Sequence, residues 1–285
     1  MPSCVRCGRE VPSSPGEASP LCRDCRADVG LIVPSQETVS PPPVRVSSPF
    51  LLTQVIVGIN VLVFIGMLLT GVSPLSPRPV QLVMWGANFA PLSLGSQPWR
   101  MLASNYVHIG IIHIFFNMWC LWNLGRLAER IFDRWSYMLV YTASGIAGSL
   151  ASLWWHPQGI GAGASGAIFG LAGGLIAVLY LGKLPIGREA LKPTLRSLLM
   201  FAAYNLFFGL VPGIDNAAHF GGLLAGLAIG AVLAGTVTEP PDIRARRRNY
   251  VMVATILLLL AANSYLRQRY VRPEAIQQSS LAVNL

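Results

Sequence analysis

Apolar stretches long enough to cross a lipid bilayer, or nearly so, dominate this chain. They fall near residues 50–71, 105–125, 136–155, 164–182, 196–212, 217–237 and 250–266. A helix needs roughly 20 residues to cross the hydrocarbon, with a lower limit near 17, and the stretch at 196–212 sits at that limit. The expected fold is therefore all-α and polytopic, with seven transmembrane spans. Only 12% of the 285 residues are charged and 53% are hydrophobic, with a mean hydropathy of +0.54. A water-soluble enzyme of this size needs about twice that charge, and a disordered chain needs far less apolar content. The first stretch is no cleaved signal peptide: it follows some 50 residues of polar chain and exceeds the length of a signal's apolar region.

The net charge of +9 does not make a nucleic-acid footprint. Residues 1–48 hold five Arg and five acids, which cancel, and the excess of sixteen Lys/Arg over seven acids lies in 49–285. There it collects in short loops, as membrane orientation signals do. Arg126, Arg130 and Arg134 follow the second span, Lys183, Arg188, Lys192 and Arg196 the fourth, and Arg244, Arg246, Arg247 and Arg248 the sixth. These loops share one side, so the N-terminus is expected in the cytoplasm. Arg267, Arg269 and Arg272 run against the trend, since seven spans put that tail outside.

Ahead of the spans, Cys4, Cys7, Cys22 and Cys25 form two C-x2-C pairs separated by fourteen residues. Paired knuckles of this kind bring four thiolates to the corners of a tetrahedron around zinc. A segment this short cannot build its own core, so metal would supply its folding energy. Disulfides need an oxidising compartment, which the topology argues against. The expectation is a cytoplasmic zinc-ribbon-like module over 1–26, structural or adaptor-like, with a possible cytoplasmic protein partner. Residues 27–48, rich in Pro and Ser, read as a linker. Residues 49–237 read as a six-span core, and 238–285 as a basic loop, a seventh span and a tail.

Polar groups inside a bilayer are costly and call for a reason. The second span carries His108, His113 and Asn117, the fourth begins Gly163-Ala164-Ser165-Gly166, and the sixth begins Asn216-Ala217-Ala218-His219. Those three spans all run from outside to inside, so these groups share one depth near the outer leaflet. Glycines along the fourth span, and Gly222, Gly226 and Gly230 at four-residue spacing along the sixth, allow the two helices to approach closely. A serine hydroxyl needs an adjacent base, commonly an imidazole. No acid occurs between 136 and 188, so a Ser165–His219 dyad is expected rather than a triad. His113, Asn117 and the Ser165 backbone N–H would then supply donors to an oxyanion.

This pattern resembles the rhomboid family of intramembrane serine proteases over about residues 50–237. Gly163-Ala164-Ser165-Gly166 matches its glycine-x-serine-glycine motif, and His108, His113 and Asn117 match its second-helix residues. His219, Gly222 and Gly226 match its sixth helix, Trp99-Arg100 its first loop, and Glu129-Arg130 the end of its second helix. The resemblance implies that Ser165 is the nucleophile and His219 the general base and acid. It makes His113, Asn117 and the Ser165 N–H the oxyanion hole, and His108 structural or water-binding. Phe169 stands where the family often has a tyrosine stacked on the catalytic imidazole. The seventh span fits a six-plus-one arrangement.

The implied activity is cleavage of transmembrane-helix substrates near the outer membrane face, with a small residue before the scissile bond and no cofactor for catalysis. The implied setting is the lipid bilayer of a bacterial inner membrane. From the residues alone, Trp99-Arg100 reads as an interfacial anchor. Two other classes compete: a polytopic transporter, for which no halves with corresponding interruptions are found, and a catalytically idle adaptor, which would have no use for both Ser165 and His219.

Overall fold

The computed structural model describes residues 3–11, 21–22, 24–25, 50–211 and 213–270. The expected linker at 27–48, most of the return between the cysteine pairs and the tail beyond 270 lie outside the described residues. The chain divides into two compact units, Met1–Pro49 and Phe50–Leu285.

The second unit is helical, and among its described residues seven long helices follow one another: α1 (Leu51–Leu69), α2 (Ile111–Ile131), α3 (Arg134–Trp155), α4 (Ser165–Leu181), α5 (Arg188–Phe208), α6 (Asn216–Ala234) and α7 (Pro241–Tyr270). By length and apolarity α1, α6 and α7 can cross a membrane. A fourth span is added if the short helical stretch Arg100–Tyr106 and α2, bent by 93° between them, count as one. The other three fall short for physical reasons. α5 opens with Arg188, Glu189, Lys192 and Pro193, and α3 is interrupted by Ser and Gly. α4 has only 17 residues, of which 13 are buried by its neighbours α2, α3, α5 and α6. An apolar helix enclosed by others need not match the thickness of the hydrocarbon.

The second expected span, 105–125, is corrected by the structure. Helix ends at Tyr106 and resumes at Ile111. Gly110 between them has φ +88°, a conformation that favours glycine, and the Ile111 N–H donates to the Pro74 carbonyl at 2.7 Å. His108 therefore lies in the break rather than on the helix that carries His113 and Asn117.

α4 and α6 form the closest helix pair. A methyl group at Gly222 would overlap the Gly166 carbonyl, one at Gly226 the Gly170 carbonyl, and one at Gly230 would lie 2.6 Å from the Gly174 carbonyl oxygen. The four-residue glycine spacing of one helix thus meets the four-residue spacing of the other, backbone against backbone.

Charged residues fasten the helix ends. Glu129, in the last turn of α2, accepts hydrogen bonds from the Leu52 N–H (3.2 Å), the Thr53 N–H (2.6 Å) and the Thr53 hydroxyl (2.5 Å). It thereby satisfies orphan donors at the start of α1, where an anion is favoured. Arg126 and Arg130 lie over the Phe50 ring at 4.6 and 5.2 Å. Asp133 caps α3 through the Trp135 and Ser136 N–H groups and pairs with Arg248 of α7 at 3.1 Å. Burial alone would raise its carboxyl, but the Ser136 hydroxyl and N–H, with Arg248, hold it below the ordinary carboxylate range. At the other end of α7, the Tyr270 hydroxyl donates to the Trp154 carbonyl at 3.1 Å.

The segment between α1 and α2 is tied inward, and Arg100 is the fastening. It is buried, donating to Val83 O (2.5 Å), Ala87 O (3.3 Å) and the Gln97 side-chain oxygen (2.7 Å). Where the sequence suggests an interfacial anchor at Trp99-Arg100, the guanidinium finds its acceptors inside the loop, while the Trp99 ring is exposed. A two-residue antiparallel ladder pairs Asn88 with Gly161 and Phe89 with Ile160. The loop therefore holds the strand that leads into Ser165.

Candidate active site

Ser165 is the first residue of α4, reached through a turn that only glycine can make. Gly163 has φ +134°, and a methyl group there would lie 2.6 Å from Cε1 of His113. Its N–H donates to the Ser104 carbonyl at 2.9 Å. The approach to the serine is thus fixed from the first loop, and His113 is seated against it. Being at the helix start, the Ser165 N–H is one of the donors an α-helix leaves unpaired, at the positive end of its dipole.

Ser165 Oγ lies 2.9 Å from Nε2 of His219. The Phe169 ring, one turn beyond the serine, stacks on the imidazole with centroids 4.5 Å apart and planes 12° from parallel. Nδ1 of His219 is buried and meets no hydrogen-bonding protein group among the described residues. The nearest carboxylate in sequence, Asp215, is committed elsewhere. Oδ1 caps α6 by accepting the Ala218 N–H (3.0 Å), and Oδ2 accepts the Ser152 hydroxyl (2.5 Å). Among the described residues no acidic group is hydrogen-bonded to the imidazole of this serine–histidine pair, and an aromatic face stacks on its plane.

His113 and Asn117 line the same cleft, of about 510 Å³, together with Ser165 and His219. Nδ1 of His113 lies 3.2 Å from the Ile109 N–H, which can only donate. The imidazole proton therefore belongs on Nε2, making that nitrogen a donor. Asn117 donates one N–H to the His113 carbonyl at 2.9 Å and has a second to offer. His108 is fully buried, its ring 5.3 Å from that of His113, and it does not line the cleft.

Sequence reasoning missed four parts of this arrangement. Asp215 before an apolar run is a helix-cap signal that identifies its role in α6. Its bond to Ser152 on α3 has no sequence signal, and neither does the Ile109 N–H that fixes the His113 tautomer. Asn205 of α5 lines the cleft as well.

In the other unit, the sulfurs of Cys4, Cys7, Cys22 and Cys25 all lie within 4.8 Å of one another, and none is in a disulfide. Thiolates 2.3 Å from a tetrahedral zinc stand about 3.8 Å apart, so the donor set fits that ion. The first knuckle turns through Gly8 (φ +77°), whose N–H donates to the Cys4 carbonyl, and Arg9 pairs with Asp24 at 2.8 Å. The Cys22 N–H, donating to Cys4 Sγ, chiefly holds that thiol down to about 6. Hydrogen bonds with the Cys22 and Cys7 sulfurs push Cys25 up to about 12.

A half-buried serine hydrogen-bonded to a buried histidine, at the starts of two glycine-packed helices, defines a polytopic helical membrane protein with a hydrolase-like centre. Residues 95–236 match the Rhomboid domain family model. The chain is 30% identical over 237 residues to the rhomboid protease AarA of Providencia stuartii, covering 75% of this chain and 82% of that protein. It is 38% identical over 153 residues to the rhomboid protease GluP of Bacillus subtilis (strain 168), covering 53% of this chain and 29% of that protein. It is 35% identical over 150 residues to RHOMBOID-like protein 4 of Arabidopsis thaliana, covering 53% of this chain and 38% of that protein. The chain thus spans well under half the length of these last two relatives. It belongs to the rhomboid family and is an integral membrane protein.

Proposed function

We propose that this protein is an intramembrane serine endopeptidase that cleaves transmembrane-segment substrates near the outer face of the membrane, using a Ser165–His219 dyad. The observation that carries the reading is the 2.9 Å contact between Ser165 Oγ and His219 Nε2 under the stacked Phe169 ring. Nε2 accepts the hydroxyl proton as Oγ attacks the scissile carbonyl. The oxyanion receives donors from the Ser165 N–H, His113 Nε2–H and the second N–H of Asn117. Losing one such donor costs ~3 kcal/mol of transition-state stabilisation. His219 then returns the proton to the leaving amine, and the acyl-enzyme remains. A water molecule entering the cleft gives its proton to the same nitrogen and attacks the ester, and His219 passes that proton to Ser165 Oγ as the acyl C–O bond breaks and the second product leaves. Gly163 and Gly166 shape the turn around the nucleophile, and Gly222 and Gly226 bring His219 close to it.

The same reading gives the chain a cytoplasmic N-terminus and places it in a bacterial inner membrane, supported by the loop arginines and by two bacterial relatives. Residues 49–237 would form the protease core. Cys4, Cys7, Cys22 and Cys25 would hold a structural zinc ion, with no part in the chemistry. Substrates should have Gly, Pro or other small residues near the cut, because the helix must unwind there to expose its carbonyl.

The test uses purified protein in liposomes with a fluorescent transmembrane substrate and a serine-directed fluorophosphonate probe. Wild type should cleave the substrate and be labelled on Ser165, while Ser165→Ala and His219→Ala should keep the fold and do neither. Cleavage by a folded Ser165→Ala protein would overturn the mechanism. A wild-type chain that neither cleaves nor labels would overturn the function.

A further inference from the structure

α5 brings into the cleft a polar side chain that the dyad does not use. Asn205 lines the cleft with Ser165 and His219 and is exposed there, on a helix that otherwise turns Tyr204, Phe207 and Phe208 outward. Its depth follows from a neighbouring bond. Asn216, three residues before His219, donates its side-chain N–H to the Leu206 carbonyl at 3.0 Å. Asn205 adjoins Leu206, so it stands within about one helical turn of the catalytic imidazole along the membrane normal.

An exposed amide at that depth is costly unless something pairs with it. The Asn205 Nδ2 group donates to the Phe201 carbonyl, one turn back, at 2.8 Å. A carbonyl only accepts, so the nitrogen must face it and the orientation of the amide is fixed. What remains is one N–H and the Oδ1 acceptor, neither with a protein partner among the described residues. One donor and one acceptor on a planar amide complement the N–H and C=O that a single extended residue turns to the same side. A substrate helix that unwinds for cleavage releases peptide groups of this kind where lipid cannot satisfy them.

We propose that Asn205 is a substrate-binding residue that pairs through its side-chain amide with the main chain of the unwound substrate segment. Oδ1 accepts a substrate N–H, and the free N–H of Nδ2 donates to a substrate carbonyl. This rests on the protease reading above. It assigns α5 the role of holding the opened helix opposite the nucleophile, by contacts that do not depend on substrate sequence. Because they form in the bound state and persist through the reaction, they lower KM more than they raise kcat.

The experiment compares wild type with Asn205→Leu, similar in size and without the amide, and with Asn205→Gln, which retains it. Each is assayed in liposomes on a transmembrane substrate and, separately, for the rate of fluorophosphonate labelling at Ser165. Two net hydrogen bonds correspond to about a tenfold rise in KM for Asn205→Leu, with kcat within about twofold and labelling at the wild-type rate. Asn205→Gln should recover part of the loss. Wild-type KM with wild-type labelling would overturn the proposal while leaving the protease reading intact. A fall in labelling alongside kcat would also overturn it, by showing that Asn205 supports the fold of the site. Absence of cleavage and labelling in wild type would remove the protease reading, and this proposal with it.

Discussion

Gly226→Ala tests whether the contact between α4 and α6 sets the catalytic geometry. The added methyl group would overlap the Gly170 carbonyl, which is backbone and cannot rotate away. Ordinary contact needs about 3.5 Å, so the helices must part by about 1 Å or more at this level. Overpacking of this kind costs about 1–3 kcal/mol. Gly226 lies seven residues below His219, about 10 Å along the axis, and Gly170 lies five below Ser165. Stiff helices carry most of the displacement to the dyad, where the 2.9 Å contact would lengthen beyond hydrogen-bond range. Misplacement by about 1 Å costs on the order of 10²-fold in rate. Thermal unfolding in detergent and turnover in liposomes measure the two effects together. Gly58→Ala is the control: a methyl group there meets nothing within 4 Å, and the change should be neutral or stabilise by about 0.4–1 kcal/mol. Gly226→Ala protein that unfolds and cleaves like wild type would refute the close-packing argument.

Glu129→Ala removes an acceptor used by two N–H groups and a hydroxyl at the start of α1. It should cost about 2 kcal/mol in unfolding measurements, with wild-type kinetics in the folded protein. Asn117→Ala should lower kcat by about 10²-fold or more with little change in KM, and unchanged kcat in liposomes would remove Asn117 from the oxyanion site. Elemental analysis should find one zinc per chain, lost on changing Cys4 and Cys7 to Ser. Hydrogen exchange in residues 3–25 should then rise while cleavage persists, and loss of cleavage would show the module to be part of the enzyme.

Much of this protein is legible in one dimension because a bilayer simplifies the problem. Lipid makes apolar length a direct signal, so the positions of α1, α4, α6 and α7 follow from the sequence. It also makes every polar residue at depth conspicuous, so Ser165, His219, His113 and Asn117 stand out as a group. Glycine spacing extends that reach to one tertiary contact, because only small residues let two backbones touch.

What the sequence does not hold is direction. Arg100 at a loop reads as facing the interface, yet three acceptors in the folded loop turn it inward. A continuous apolar run at 105–125 conceals the break at Gly110, whose φ depends on the Pro74 carbonyl reached across the loop. The tautomer of His113 depends on the Ile109 N–H, and the commitment of Asp215 on Ser152, 63 residues away. Hydrogen bonds satisfy individual atoms at a few ångströms, and which atoms come that close is decided only when the helices have packed.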